Sequence, residues 1–307
     1  MTKYLISIVG PTAIGKTALS IKLAQHFSTE IISADSRQFF KDMQIGTAAP
    51  SKTELAAAKH HFIQHKSIQE KYNVGAFEKE AISKLDELFE NQEVVIMVGG
   101  SGLYVDAVTK GLDYFPEVDS NIREQLNKQL ETQGLESLQL QLKELDVTSY
   151  NTITIDNPHR VIRALEICIG TNKPYSSFLN KEKNKRPFKT ITVGLTTERE
   201  IIYNRINQRV DLMIQNGLLN EVKSLLPYKN LNALNTVGYK ELFNYLDGEW
   251  ELNFAISEIK KNTRRFAKRQ LTWFKKNEET LWFNYLTDVE FIIKEINNKI
   301  FEEKKEA

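Results

Sequence analysis

The run Gly10-Pro11-Thr12-Ala13-Ile14-Gly15-Lys16-Thr17 fits the pattern G-x-x-x-x-G-K-[ST] in full. Glycines at the two ends let backbone N–H groups turn toward an anion, and the helix expected to follow adds a partial positive charge at its N-terminus. Lys16 is placed to neutralise terminal phosphate oxygens, and the Thr17 hydroxyl to ligate Mg²⁺. A bare strand-to-helix turn is the alternative, and the apolar stretch before the run and the helical pattern after it argue against that. A second chemical group, Asp35, closes the apolar segment Glu30-Ile31-Ile32-Ser33-Ala34. Three roles are open to it: the magnesium partner of a kinase or ATPase, a general base beside a phosphate, or a turn cap. The apolar stretch 94–98 ends in Gly99-Gly100, not in the Asp that usually helps a phosphate loop hold its metal.

A third feature is charge. Net charge is only +1, yet residues 259–276 hold eight basic side chains and no acidic one, and 181–189 hold five against one Glu. Such segments suit a polyanion, although charge runs are also ordinary solvated faces. His61 and His65 have the i, i+4 spacing of a metal pair but no third ligand in view. Cys168, the single cysteine, excludes an internal disulfide and a Cys-based zinc cluster, and between Ile167 and Ile169 it reads as core. No apolar run approaches the roughly 20 residues that span a bilayer. The apolar start at 4–9 is too short for a signal peptide. A cytoplasmic protein without membrane contact is expected.

These groups need elements to place them. Short apolar runs at 4–9, 30–34 and 94–98 read as strands, and 18–27 and 76–90 as helices. Their alternation predicts an α/β fold, a P-loop NTPase-like parallel sheet with flanking helices. Such sheets gather their ligands at the carboxyl ends of strands, so 10–17, 35–38 and 99–104 should meet at one edge. The pattern changes near Pro116. Asp119 or Ser120 caps a helix carrying Ile122, Leu126 and Leu130. A second helix starts at Asn157-Pro158 and is ended by Gly170. Residues 116–187 are thus an inserted helical domain, and 1–115 with 188–307 form the core. Later come a strand at 188–195 and a helix opened by a capping box at Thr197-Glu198-Arg199-Glu200 and ended at Gly217. A helix at 252–276 follows, with Ile256, Ile259, Thr263, Phe266, Gln270 and Trp273 along one stripe. A strand at 281–286 and a charged helix close the chain.

Several segments together are similar to the tRNA dimethylallyltransferase family: Asp35-Ser36-Arg37-Gln38-Phe39-Phe40, Ile45-Gly46-Thr47-Ala48, Val98-Gly99-Gly100-Ser101-Gly102-Leu103-Tyr104, 158–166 (PHRVIRALE), Thr236-Val237-Gly238-Tyr239 and 265–273 (RFAKRQLTW). They run in family order from residue 10 to about 275. The resemblance implies transfer of a five-carbon prenyl group from dimethylallyl diphosphate to N6 of adenosine 37, beside the anticodon of tRNAs that read codons starting with U. It implies that 10–17 holds a diphosphate with Mg²⁺ and that Asp35 is the general base. Arg209 and Ser101 then attend the leaving group, with Arg205, one helical turn away, as second choice. It further implies RNA contacts from Asp35, Ser36, Arg37, Gln38, Ser101, Arg123, His159, Arg160, Val161, Ile162 and Arg163. Gly238, Lys240, Arg265, Lys268 and Arg269 complete that set, which serves the anticodon stem-loop, and a monomer is expected. Gln38 has an amide able to read adenine on two atoms.

Three positions depart from the family. Phe40 stands where a Tyr is common, and Ser101 where a Thr is common. His60-His61-Phe62-Ile63-Gln64 lacks the family's final Asp. Three other functions compete: a prenyltransferase acting on free adenylate, a nucleoside or nucleotide kinase, and a nucleotide-gated RNA-binding protein without turnover. An adenylate acceptor would need neither the insertion nor the basic helix.

Overall fold

Every residue of β1, Tyr4–Val9, is buried. Its side chains alternate between two cores, as the period of two in a strand requires. Tyr4, Ile6 and Ile8 join Leu19 and Leu23 on one face, and Leu5 and Val9 join Phe77, Ala81 and Leu85 on the other. Both faces are thus covered, which is why the strand is almost wholly apolar. The computed structural model describes residues 2–179 and 185–305. They divide into two compact units, Met1–Lys110 with Arg186–Ala307, and Gly111–Lys185.

In the first unit β1 is followed by α1 (Lys16–His26), β2 (Ile31–Ser33), α2 (Lys52–Ala57), β3 (His60–His61), α3 (Val74–Asn91), β4 (Val94–Val98) and α4 (Gly102–Lys110). In the second, α5 (Ser120–Leu145) breaks its helical backbone at Gly134, and α6 (Val147–Thr152) and α7 (Pro158–Thr171) follow. The first unit resumes with β5 (Lys189–Thr196), α8 (Arg199–Gln215), α9 (Leu218–Ser224), α10 (Tyr239–Leu246), α11 (Leu252–Phe274), β6 (Leu281–Asn284) and α12 (Val289–Lys305). Among the described residues the strands form one sheet in the order β3-β2-β4-β1-β5-β6, with every pairing parallel. This is the expected α/β fold of P-loop NTPase-like type. β1 lies between β4 and β5. The chain leaves it toward β2 on one side and later adds β5 and β6 on the other, so the crevice at its carboxyl end is the switch point where such sheets bind ligands. No described helix is long and apolar enough to cross a membrane.

Three local expectations give way to packing. Gly170 does not end α7. The helix runs on to Thr171 and closes with Asn172 in the left-handed region, φ 51°. A Cβ at Gly170 would lie 2.4 Å from Val118, so the glycine serves close approach instead of termination. The capping box at Thr197 does not form. α8 starts after Glu198 with no side-chain cap, and the Thr197 hydroxyl is buried without a partner. On α11, Ile259 and Gln270 are buried, but Phe266 and Trp273 keep 37% and 36% of their surface exposed. The stripe is therefore core at Ile259 and opens onto a cleft at Phe266 and Trp273. A cluster that includes Val210, Leu218, Val222, Tyr239, Leu242 and Ile259 packs α8 to α11 together and takes in Phe40 and Met43.

Candidate active site

The loop after β1 is held in a shape that an ordinary side chain would resist. Gly10 has φ +142°, and a Cβ there would stand 2.5 Å from the Leu195 carbonyl oxygen of β5. The Lys16 ammonium donates to the carbonyls of Gly10 at 3.0 Å and Pro11 at 2.8 Å. Burial of that ammonium lowers its pKa to about 8, although the charge of Asp35 acts in the opposite direction. The two arginines one turn apart on α8 have different tasks. Arg205 donates from Nε to the Ala13 carbonyl at 2.7 Å, and its guanidinium stands 4.9 Å from the Tyr285 ring centroid, so it braces the loop backbone. Arg209 donates to the Thr12 hydroxyl at 3.4 Å and lines the cleft. Burial holds its pKa below the ordinary arginine value, with the charges of Asp35 and Glu54 opposing.

Asp35 follows β2 and accepts the Arg37 amide at 3.0 Å, the local turn of an Asx residue. Ser101, just after β4, accepts the Ser36 amide at 3.0 Å and donates to the Ser36 hydroxyl at 3.0 Å. The ends of β1, β2 and β4 are therefore joined at one edge, as the alternation of strands and helices predicts.

Two cavities of about 470 and 630 Å³ open there. The smaller is lined by residues 12–17 with Arg205 and Gln208, and the larger by Ser36, Ser101, Tyr104, Lys240, Arg269 and Trp273, among others. Asp35, Arg209 and Phe266 line both. Ser101 lines only the larger one. Thr17 and Asp35 bring a hydroxyl and a carboxylate to the smaller cavity, hard oxygen donors that fit Mg²⁺ together with phosphate oxygens. Among the described residues no group of three His, Cys, Asp or Glu could hold a metal. His61 pairs instead with Glu30, and the His65 ring packs edge-on against Phe39, Phe62 and Tyr72.

Some expected contact groups are already engaged. The Gln38 amide nitrogen donates to the carbonyls of Thr47 at 3.2 Å and Ala48 at 3.1 Å. Arg37 donates to the carbonyls of Asn232 and Ala233, at 2.9 and 3.0 Å. Gly238 is buried and Lys240 exposed. Phe40 is 5% exposed and packs in the cluster that joins α8 to α11.

Two positioning groups carried no signal strong enough to be read from the chain. Gln270 accepts the Thr12 amide at 2.8 Å and donates to the Gly100 carbonyl at 2.9 Å, which ties the phosphate loop to the turn after β4. Its place on the otherwise largely apolar stripe of a basic helix is the one weak clue to it in the chain. Glu221 accepts the amides of Gln44, Ile45 and Gly46 and the Tyr239 hydroxyl at 2.6 Å, and so fixes the turn that carries Thr47 and Ala48.

In the second unit, Arg123 donates to Glu166 with Nε at 3.0 Å and Nη2 at 2.7 Å, and Arg163 donates to the same carboxylate at 2.8 Å. Burial raises the Glu166 pKa, but the two arginines outweigh it and hold the carboxyl below its usual range. His159 and Arg160 are exposed, whereas Val161 and Ile162 are 0% and 3% exposed and pack the core of this unit. The outward face of this stretch is therefore His159, Arg160 and Arg163. On α11, Arg265, Lys268 and Arg269 are exposed, and Lys260 is paired with Asp211 at 2.7 Å. In the other basic run, residues 181–184 lie outside the described residues. Beyond them Arg186 pairs with Glu78, and Lys189 donates to the Glu303 carbonyl at 3.1 Å.

Residues 38–277 match the family model described as IPP transferase. The chain is 63% identical to the tRNA dimethylallyltransferase of Christiangramia forsetii, with 98% of this chain and 99% of that protein covered. It is 61% identical to that of Flavobacterium johnsoniae, covering 97% and 100%. Among solved structures it is similar to the full-length tRNA isopentenylpyrophosphate transferase of Bacillus halodurans, with TM-score 0.73, 37% identity and 99% and 97% of the two chains covered. A eukaryotic dimethylallyltransferase acting on tRNA superposes with TM-score 0.78 at 28% identity, covering 94% of this chain and 75% of that one.

Proposed function

The chain belongs to the IPP transferase family, the tRNA dimethylallyltransferases, and on that premise we propose the reaction that its cleft performs. It moves the dimethylallyl group of dimethylallyl diphosphate to N6 of adenosine 37 in tRNAs that read UNN codons, giving N6-isopentenyladenosine and diphosphate. One observation carries the reading: Asp35 and Arg209 stand on the wall common to two cavities, one built around residues 12–17 of the phosphate loop and one that takes only Thr12 from it. A donor and an acceptor entering from different sides would meet there.

The exocyclic amine of adenine is a poor nucleophile, because its lone pair is delocalised into the ring. As that lone pair forms the bond to C1 of the donor, the C1–O bond breaks and its electron pair passes to the diphosphate. Asp35 takes the N6 proton, help typically worth ~10²–10⁴-fold. Lys16, Arg209 and the loop amides meet the charge that gathers on the leaving oxygens. Gln270 and Arg205 keep the loop in the shape that aims those amides. The Thr17 hydroxyl would hold Mg²⁺, which when bound would neutralise further charge on the diphosphate.

Adenine in a stacked loop cannot reach this cleft, so the base must turn out of the stack. Ser36, Ser101 and Lys240 line the cavity that would take it, and Arg37 and Gln38 support that wall through the carbonyls of Asn235 and of Thr47 and Ala48. Arg265, Lys268 and Arg269, with His159, Arg160, Arg163 and Arg123, would meet the phosphates of the anticodon stem-loop. A tRNA substrate suits a protein at work in the cytoplasm, and the reading takes it to act as a monomer.

The test is purified protein with Mg²⁺, dimethylallyl diphosphate and an unmodified anticodon stem-loop, read by mass spectrometry. The expected product is RNA heavier by one five-carbon prenyl unit, with AMP untouched. Modified AMP with untouched RNA would move the acceptor to free adenylate. Phosphate transfer from ATP with no prenylated product would sink the reading.

A further inference from the structure

The wall common to the two cavities is made of polar or small side chains, among them Thr12, Asp35, Ala48 and Arg209, with one large apolar exception among the described residues, Phe266. The residue keeps 37% of its surface exposed, although its neighbours on α11, Ala267 and Gln270, are 1% and 5% exposed. The Arg269 guanidinium stands 5.7 Å from the ring centroid. Gln270 is itself fixed to Thr12 and Gly100. The ring thus projects from a pinned segment of helix into the junction.

We propose that Phe266 is the residue that sets the length of the prenyl chain this protein accepts. The inference rests on the transfer reaction above. A donor whose diphosphate sits in the loop must carry its reactive carbon to the junction to meet an acceptor from the other cavity. An apolar five-carbon group there leaves water only by lying against apolar surface, and at this wall that surface is the Phe266 ring. A ten-carbon donor would have to pass its tail beyond the ring, into the space needed by the acceptor base. The ring therefore works as a stop.

The experiment compares kcat/KM for dimethylallyl and geranyl diphosphate, with an anticodon stem-loop as acceptor, in the wild type, Phe266→Ala and Phe266→Trp. The wild type should strongly favour the shorter donor. Phe266→Ala should move the ratio toward geranyl diphosphate by roughly tenfold or more, the scale on which an apolar pocket discriminates chain length. Phe266→Trp should lower turnover of the short donor and admit no long one. A donor ratio in Phe266→Ala that stays within about twofold of the wild type would overturn the proposal. So would a change confined to KM for the stem-loop, since the ring would then be a platform for a base. If the wild-type protein prenylates no RNA with either donor, the reaction itself has failed and this inference falls with it.

Discussion

Gln270 accepts the Thr12 amide at 2.8 Å across 258 residues of chain. Through its other atom, which donates to the Gly100 carbonyl, the same amide joins the phosphate loop to the turn after β4. Gln270→Ala would leave a buried donor and a buried acceptor unpaired, at about 1–3 kcal/mol each. The expected result is a fall in kcat/KM for the donor of roughly ten- to a hundredfold, with a lowered Tm. Gln270→Glu keeps the acceptor and should retain more of both. Wild-type donor kinetics in Gln270→Ala would show that the loop needs no such tie.

Asp35→Asn keeps the oxygen that accepts the Arg37 amide but removes the base. Turnover should fall by roughly 10²–10⁴-fold, with the Kd for an anticodon stem-loop nearly unchanged. Single-turnover kinetics beside a binding titration separate the two effects. Near-normal turnover would remove Asp35 from proton transfer.

Lys16 has its pKa lowered to about 8, mainly by burial. It is charged below that pH and loses its charge above it, so KM for the diphosphate donor should rise as pH passes about 8. Lys16→Arg keeps the charge and should abolish that limb even if it binds less well. Between about pH 8 and the ordinary lysine value of 10.5 the folded chain carries fewer protons at this site than the unfolded one. The contribution of this group to stability therefore increases with pH across that window. Melting curves of the wild type and Lys16→Met should diverge in that sense.

Glu221 gathers three amides and the Tyr239 hydroxyl around the turn at 44–46. Tyr239→Phe removes one of four donors and should cost about 1 kcal/mol. Glu221→Gln turns an amino group toward the amides and should cost more. Because Thr47 and Ala48 line both cavities, kcat/KM should drop for donor and acceptor together. Amide hydrogen exchange at residues 44–46 should speed up in step. Loss confined to one substrate would contradict the role assigned to this turn.

Arg265→Ala, Lys268→Ala and Arg269→Ala should each weaken stem-loop binding and reduce the slope of log K against log salt by about 0.7–0.9. Lys260→Ala, whose ammonium is paired with Asp211, should leave the slope in place. Anisotropy titrations across salt concentrations give the slopes. Equal slopes in all four variants would make the basic face of α11 a solvated surface.

The sheet strands β1, β2 and β4 were legible because a buried parallel strand is a contiguous apolar run, and the phosphate loop because its eight residues are contiguous too. Asp35 was legible for its place after a strand, and the family from motifs in a fixed order. The short elements α2, β3, α6, α9 and α10 carry six to eight residues or fewer and left too little periodicity to find. What the chain alone could not decide is which side chains are engaged. Arg205 and Arg209 look alike on one helix face, yet the first grips the loop and the second lines both cavities. Gln38 and Arg37 look free to contact RNA, yet they hold carbonyls of the cavity wall. Gln270 and Phe266 share a stripe, yet one is a buried tie and the other an exposed wall. The outcomes on α8 and α11 turn on partners brought close by the packing of those helices against the sheet edge, and local sequence has no access to a contact made across some two hundred residues, as between Arg209 and Thr12, 197 apart; even Gln38, whose partners are 9 and 10 residues away, depends on how the turn at 44–48 is folded.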